Sequence, residues 1–290
     1  MPDFRQKFNL PYPIIYREQI PNIPSKILGS ILRKLSPMQI FYMGQTSQYM
    51  WNLTKDICKR QVNVLSIDEY HNAETEFDIC EERKCLSLVI RHTGFEELKN
   101  LLLWSHLIVT DTFQIYDCKS FKPSLRKALN LPVLRYTKLD LIGCSIDMDD
   151  LRYFLHPLVI EFNSYCVTVK PNLQFEKLLE MLKNVEIMRI DITNLKFTPD
   201  IKNVALDWKR EKPIKLFGFM KAPKTFSTFV CIDFIEKYGG PESTFLLSFS
   251  NPNLGYHVRY HRTIQKAIDE AQTADRSHNG LAGVTRWRCE

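Results

Sequence analysis

The groups in this sequence with covalent or metal chemistry to offer are its eight cysteines and seven histidines, and their spacing supports neither kind of chemistry. Cys58, Cys80, Cys85, Cys118, Cys144, Cys166, Cys231 and Cys289 contain no C-x-x-C pair, and no histidine follows them at zinc-finger spacing. That pattern predicts reduced, mostly buried thiols in cytosol or nucleus. No H-E-x-x-H occurs, and His106 and His156 sit inside apolar runs, where a hydrogen-bonded structural histidine is the expectation. His257 and His261 are four apart, but Tyr256-His257-Val258-Arg259-Tyr260 alternates like a strand, so no metal site is expected there. Neither G-x-x-x-x-G-K-[ST] nor G-x-G-x-x-G is present, and ten glycines leave little for a phosphate loop. The expectation is a protein without cofactor or metal, which binds rather than catalyses.

Binding needs surfaces, and surfaces need elements to carry them. Beyond residue 60, short apolar strand cores recur at Val62-Asn63-Val64, Leu86-Ser87-Leu88, Phe113-Gln114-Ile115, Leu139-Asp140-Leu141, Ile160-Glu161-Phe162, Ile190-Asp191-Ile192, Ile214-Lys215-Leu216 and Phe245-Leu246-Leu247. From Leu86 onward their steps are 27, 26, 21, 30, 24 and 31 residues, the mark of a stacked repeat architecture. Helical patterns lie between them, among them Leu151, Phe154, Leu155, Leu158; Phe175, Leu178, Leu179, Leu182; and Phe229, Ile232, Ile235. Crossovers of that length favour parallel strands. The predicted class is α/β: a short N-terminal three-helix module, then an irregular repeat array with a curved parallel sheet and helices outside. A two-layer α/β domain without true repeats is the alternative. One face of each strand must stay open, which makes Gln114, Tyr116, Lys138, Asp140, Glu161, Arg189, Asp191 and Lys215 the candidate partner-reading positions. Their mixed charges suit protein better than nucleic acid. Phe113 to Cys118 and Leu139 to Cys144 both follow L-x-L-x-x-C/N, which makes Cys118 and Cys144 inward turn residues.

The N-terminal module reads as helices at every punctuation point. Pro24 suits a first helical turn, and Ile27, Leu28, Ile31, Leu32 and Leu35 then recur on one face, opposite Lys26, Ser30, Arg33 and Lys34. Ser36-Pro37-Met38-Gln39 ends that helix and caps the next, which presents Met38, Ile40, Phe41 and Met43. A third helix from Thr46 or Ser47 presents Met50, Trp51, Leu53 and Ile57. Three short helices cannot bury so much apolar surface against one another, so an outside partner is implied.

Ile23-Pro24, Ile27-Leu28, Ile31-Leu32, Leu35-Ser36-Pro37, Ile40-Phe41, Ser47 and Trp51 together resemble the F-box, the motif by which substrate receptors of cullin-RING ubiquitin ligases bind a Skp-type adaptor. Ile23 stands where the family has Leu, Lys26 where an acidic residue is usual, and Trp51 falls one position late; the apolar face is kept. The resemblance covers about 40 of 290 residues. Joined to a degenerate leucine-rich array, it resembles the architecture of nematode F-box proteins. What that implies is a substrate receptor of an SCF-type ligase: Pro24, Ile27, Leu28, Ile31, Leu32, Leu35, Pro37 and Ile40 would engage the Skp-type subunit and through it a cullin, and the array would hold a protein substrate. The alternative is a scaffold whose N-terminal helices only cap the array.

Charge agrees with a protein partner. The formal net charge is +6, and residues 1 to 60 carry all of it, nine Lys/Arg against three Asp/Glu. The remainder is balanced, which argues against a phosphate-tracking groove and makes nucleic acid the poorer partner. No apolar run is long enough to span a membrane and no leader pattern opens the chain, so a soluble cytoplasmic or nuclear protein is expected. The predicted divisions are 20–60 for the F-box-like module, 61–260 for the array, and 261–290 for a polar helix over about Thr263 to Ala274 with a loose tail.

Overall fold

The computed structural model describes residues 25–32, 34, 60–69, 74–80, 85–92, 107–118, 133–210, 212–223, 225–249, 254–273 and 284–289. It is α/β with a mostly parallel, curved sheet. The chain divides into two units: Met1–Asp111 with Lys127–Arg135, and Thr112–Arg126 with Tyr136–Glu290.

In the first unit, helix α1 (Ser25–Leu32) is followed by strands β1 (Arg60–Glu69), β2 (Glu74–Cys80) and β3 (Cys85–His92). β1 and β3 pair in parallel, whereas β2 returns antiparallel to β3, a strand the sequence reading lacks. The link between β2 and β3, Glu81-Glu82-Arg83-Lys84, is too short for a crossover, so a hairpin is the geometry it permits. The first half of β4 (Leu107–Tyr116) pairs in parallel with β5 (Val133–Leu134) through Ile108 and Val109. Leu65, Ile67 and Val109 are fully buried.

In the second unit the sheet runs, in spatial and chain order, from the second half of β4 through β6 (Lys138–Ile142), β8 (Glu161–Tyr165), β10 (Ile187–Ile190), β11 (Ile214–Ala222) and β12 (Gly239–Phe249) to β13 (Val284–Cys289), all parallel. Helices α2 (Met148–Phe154), α3 (Phe175–Met181), α4 (Ile201–Leu206), α5 (Thr228–Tyr238) and α6 (Leu254–Thr273) occupy the connections. Between β6 and α2, and again between β8 and α3, lie β7 (Ser145–Asp147) and β9 (Thr168–Lys170), which pair in a small second sheet.

Register stacks one residue per strand into a continuous apolar row: Phe113, Leu139, Phe162, Met188, Phe217, Phe245 and Trp287, each buried. Phe113 meets Phe154 of α2 edge-on at 5.1 Å, and Phe217 meets Phe234 of α5 at 5.0 Å. Burying one such aromatic stabilises by roughly 1.5–3 kcal/mol. The polar tips of Tyr136, Trp208, Tyr238 and Tyr260 find backbone partners in a neighbouring connection, whereas the buried indole N–H of Trp287 has none among the described residues. Tyr136 donates to the Phe154 carbonyl at 2.7 Å, Trp208 Nε1 to Leu179 at 2.6 Å, Tyr238 to Leu206 at 2.7 Å, and Tyr260 to Phe226 at 2.9 Å. Each leaves a helix-terminal or loop carbonyl satisfied and ties one connection to its neighbour.

The strand ends repeat as well. Asp117, Gly143 and Cys166 adopt left-handed φ of 48°, 63° and 51° at the close of β4, β6 and β8. The next residues, Cys118, Cys144 and Val167, are buried, as the cysteine turn reading expects for the first two. Their carbonyls serve the following layer: Cys118 accepts from Ser145 N–H, Cys144 from Thr168 N–H, and Val167 from Thr193 N–H. At Gly143 the left-handed backbone favours glycine, and a Cβ there would stand 2.3 Å from Asp117 Oδ1 and force that carboxylate to move.

Several elements differ from expectation. Residues 256–260 lie inside α6 rather than a strand, because Tyr260, Ile264, Ile268 and Ala271 form a buried helical stripe that outweighs the local alternation. Residues 284–289 form a strand rather than a loose tail, with Trp287 buried. The strand sought at Ile190-Asp191-Ile192 lies earlier, at Ile187–Ile190, and in β11 Ile214 is buried as expected whereas Leu216 is only half-buried and Phe217 and Phe219 carry the inward face. On α5 the buried residues are Val230, Cys231, Phe234, Ile235 and Tyr238, leaving Phe229 exposed.

Candidate functional site

One residue along each strand from the buried row, the opposite face carries a row that is polar over four strands: Gln114, Asp140, Asn163 and Arg189. Strand alternation puts them there, and parallel register brings them side by side at the usual inter-strand spacing of about 4.8 Å. Gln114 Nε2 donates to Asp140 Oδ2 at 3.0 Å, and Asn163 Nδ2 donates to Asp140 Oδ1 at 2.7 Å and to Glu161 Oε1 at 2.9 Å. Arg189 NH1 then donates to Asn163 Oδ1 at 2.9 Å. Lys138, two residues before Asp140, bridges Glu161 at 3.1 Å and Asp140 at 3.6 Å. The result is a connected hydrogen-bonded ladder, each member of which fixes its neighbour's rotamer.

Charge states follow from those contacts. Burial works against the Lys138 ammonium, but the Asp140 and Glu161 carboxylates outweigh it and raise its pKa above the ordinary 10.5. Burial pushes the Glu161 carboxyl up, and hydrogen bonds from Asn163 and Lys138 with the Lys138 and Arg189 charges pull it back below 4.5. Lys138 and Glu161 are therefore both charged at neutral pH.

Beside it, Tyr116, Ile142 and Tyr165 form a second open row toward the strand ends, with Tyr165 60% exposed. Next to Tyr165 lies an ion pair of Lys221 Nζ with Asp191 Oδ1 at 2.7 Å. Asp191 also accepts from Cys166 N–H at 3.2 Å and from its thiol at 3.6 Å. Lys221 adopts φ 58° where β11 slips register against β12 between Phe219 and Ala222, so a bulge re-aims it.

Of the eight expected reading positions, Gln114, Lys138, Asp140, Glu161 and Arg189 are joined in the ladder, and Tyr116 sits beside it. Asp191 stands just past the end of β10, buried and engaged with Cys166 and Lys221. Lys215 lies off the ladder at the mouth of β11, paired with Glu186 at 2.8 Å; a register shift between Ile214 and Leu216 moves it out of the alternation. Asn163, Tyr165, Gly218 and Lys221 belong to the surface and were not among those eight. Alternation from Glu161 points to Asn163, whereas nothing in the sequence signals the bulge at Lys221. A Cβ at Gly218 would stand 3.3 Å from Arg189 Cγ and press on the arginine stem.

On α1, Ile27 is 55% exposed and Ile31 44% exposed, four residues apart on one side of the helix. Leu28 and Leu32 belong to the same helix. Pro24, Leu35, Pro37 and Ile40 lie outside the described residues, as do the second and third expected helices.

Among the described residues, Cys118, Cys144 and Cys231 are buried and Cys166 is exposed. Burial pushes the Cys144 thiol up to about 12, so it stays protonated at neutral pH. Burial lowers the pKa of His156, whose Nδ1 accepts from Leu158 N–H at 3.3 Å and whose ring stands edge-on to Tyr136 at 4.6 Å. His257 and His261 share helix α6, and His261 packs 6.2 Å from Trp287. Among the described residues, no group of three His, Cys, Asp or Glu side chains is placed to hold a metal ion, and no helix is long and apolar enough to cross a membrane. Set against known proteins, the chain matches no family model and no curated sequence.

Proposed function

We propose that this protein is a substrate-recognition adaptor of a cullin-RING ubiquitin ligase, acting in cytoplasm or nucleus by binding and not by catalysis. In this reading α1 and the helices after it form an F-box-like module. Ile27, Leu28, Ile31 and Leu32, with Pro24, Leu35, Pro37 and Ile40, engage a Skp-type subunit and through it a cullin. The observation that carries the reading is the exposure of Ile27 and Ile31 on one side of α1, since a helix that served only as a cap would bury that side. Large apolar residues removed from such an interface cost roughly 2 kcal/mol or more each.

The second unit is then a degenerate leucine-rich-repeat-like array whose open face holds the protein substrate. The repeated left-handed turn with a buried Cys or Val after it, and an ordered polar ladder on an uncovered face, both suit that role. Rigid, pre-paired side chains lose little entropy when a partner docks. The test is co-expression of the full chain with a Skp-type adaptor, followed by size-exclusion chromatography. A stoichiometric complex is expected for the wild type and its loss for Ile27→Asp and Leu28→Asp. Complex formation indifferent to both substitutions overturns the reading; a lowered melting temperature without any complex in the wild type favours the capping scaffold.

A further inference from the structure

We infer that the open face of the second unit takes an acidic protein segment. This rests on the reading of that face as the partner-binding surface, and adds the chemistry of the partner. Sequence composition hides the bias, because cations and carboxylates on this face nearly balance. The structure separates them by depth. In each ion pair the cation is outermost: Lys138 lies over Asp140, which is only 9% exposed, Arg189 at 50% lies over Glu161, and Lys221 at 49% lies over Asp191 at 4%. At the mouths of β10 and β11, Glu186 is likewise covered by Lys212 and Lys215, at 3.0 and 2.8 Å. An approaching partner therefore meets ammonium and guanidinium groups while the carboxylates face their own cations.

Those cations are held in charge and in place. The hydrogen bond to Asp191 raises the pKa of Lys221 above 10.5 although burial opposes it. Arg189 has its stem over Gly218 and one terminal nitrogen on Asn163, which leaves other donors of the fork for a carboxylate. Tyr165, exposed beside Lys221, offers an aromatic surface to an apolar residue within the same acidic segment. A nucleic acid fits less well. Its affinity comes from counterion release along a continuous run of phosphates, whereas here the cations Lys138, Arg189, Lys215 and Lys221 are few and set apart among carboxylates, with Tyr165 between them suited to an apolar side chain.

The experiment uses the full chain and three fluorescein-labelled probes of equal length: a Glu-rich peptide containing Phe and Leu, the same peptide with Lys for Glu, and a single-stranded oligodeoxynucleotide. Binding is read by fluorescence anisotropy. The Glu peptide should bind, the Lys peptide should not, and Arg189→Glu and Lys215→Glu should each weaken the Glu peptide about tenfold or more. Lys177→Glu, on the exposed side of α3, should leave binding unchanged, and unaltered thermal melts establish that the variants are folded. Equal binding of the two peptides, or Glu-peptide binding indifferent to both charge reversals, overturns the inference. Tighter binding of the oligonucleotide with steep salt dependence overturns it in favour of nucleic acid. Failure here alongside an intact Skp-type complex removes the acidic partner and leaves the ligase reading; loss of that complex with Glu-peptide binding intact does the reverse.

Discussion

Two rows of side chains run across the same strands of the second unit, one residue apart and on opposite faces. The first, Phe113, Leu139, Phe162, Met188, Phe217, Phe245 and Trp287, is apolar and buried from end to end. The second begins as Gln114, Asp140, Asn163 and Arg189, then turns to Gly218 and Leu246. Neither row differs in backbone geometry. The first tolerates only volume and apolarity, because every member is buried, Phe113 against Phe154 of α2 and Phe217 against Phe234 of α5. The second is held by specific donors and acceptors, and its identity changes partway across the sheet. The buried row therefore carries stability, and in the proposed reading the open row is where a partner would be recognised.

That division breaks if a substitution in the buried row is cheap. Phe162→Ala should cost about 3–5 kcal/mol, since it removes a ring and leaves a cavity between strands; chemical denaturation of the full chain measures it, and a loss below about 1 kcal/mol would contradict the packing described. Asp191→Ala comes next, at about 1–3 kcal/mol, because a buried carboxylate that accepts from Cys166 N–H and pairs with Lys221 is removed while the Cys166 amide stays behind. The smallest effect sharpens the comparison by pH. Hydrogen bonds from Lys215 and Lys212 hold the Glu186 carboxyl below 4.5, and the ladder holds Glu161 below it as well. Groups depressed in the folded state stabilise fully above their unfolded pKa and lose that contribution as pH falls through the folded one. Wild type should thus lose melting temperature below pH 4.5 more steeply than Glu186→Gln, with the two converging at the lowest pH. Because the paired cations Lys212 and Lys215 are well exposed, the separation at neutral pH should be slight.

Much of the buried row is legible in sequence, since Phe113, Leu139, Phe162 and Phe245 head or close apolar alternations of the right period. Most of the ladder follows from the same alternation. What escapes is whatever register shifts decide. Lys215 and Lys221 stand on either side of Phe217–Phe219, and a bulge at each end of that stretch places both against simple parity. β13 escapes because arginines flank Trp287 and give Val284–Cys289 the look of a polar tail. The start of α6 escapes because five alternating residues mimic a strand, while the stripe that settles the matter, Tyr260 to Ala271, lies mostly beyond them. The left-handed turns are half visible. Gly143 advertises one and Asp117 is a residue type that tolerates it, but Cys166 adopts the same backbone with a side chain that ordinarily avoids it.

The exposed isoleucines of α1 bear most directly on the proposed function, because that proposal rests on them. The decisive measurement is calorimetric titration of a purified Skp-type adaptor into the full chain and into its Ile31→Asp variant. One-to-one binding to the wild type, abolished in a variant whose melting temperature is unchanged, is the predicted result; absence of binding to the wild type, or equal binding to both, would contradict the assignment of this protein to ubiquitin-ligase adaptors.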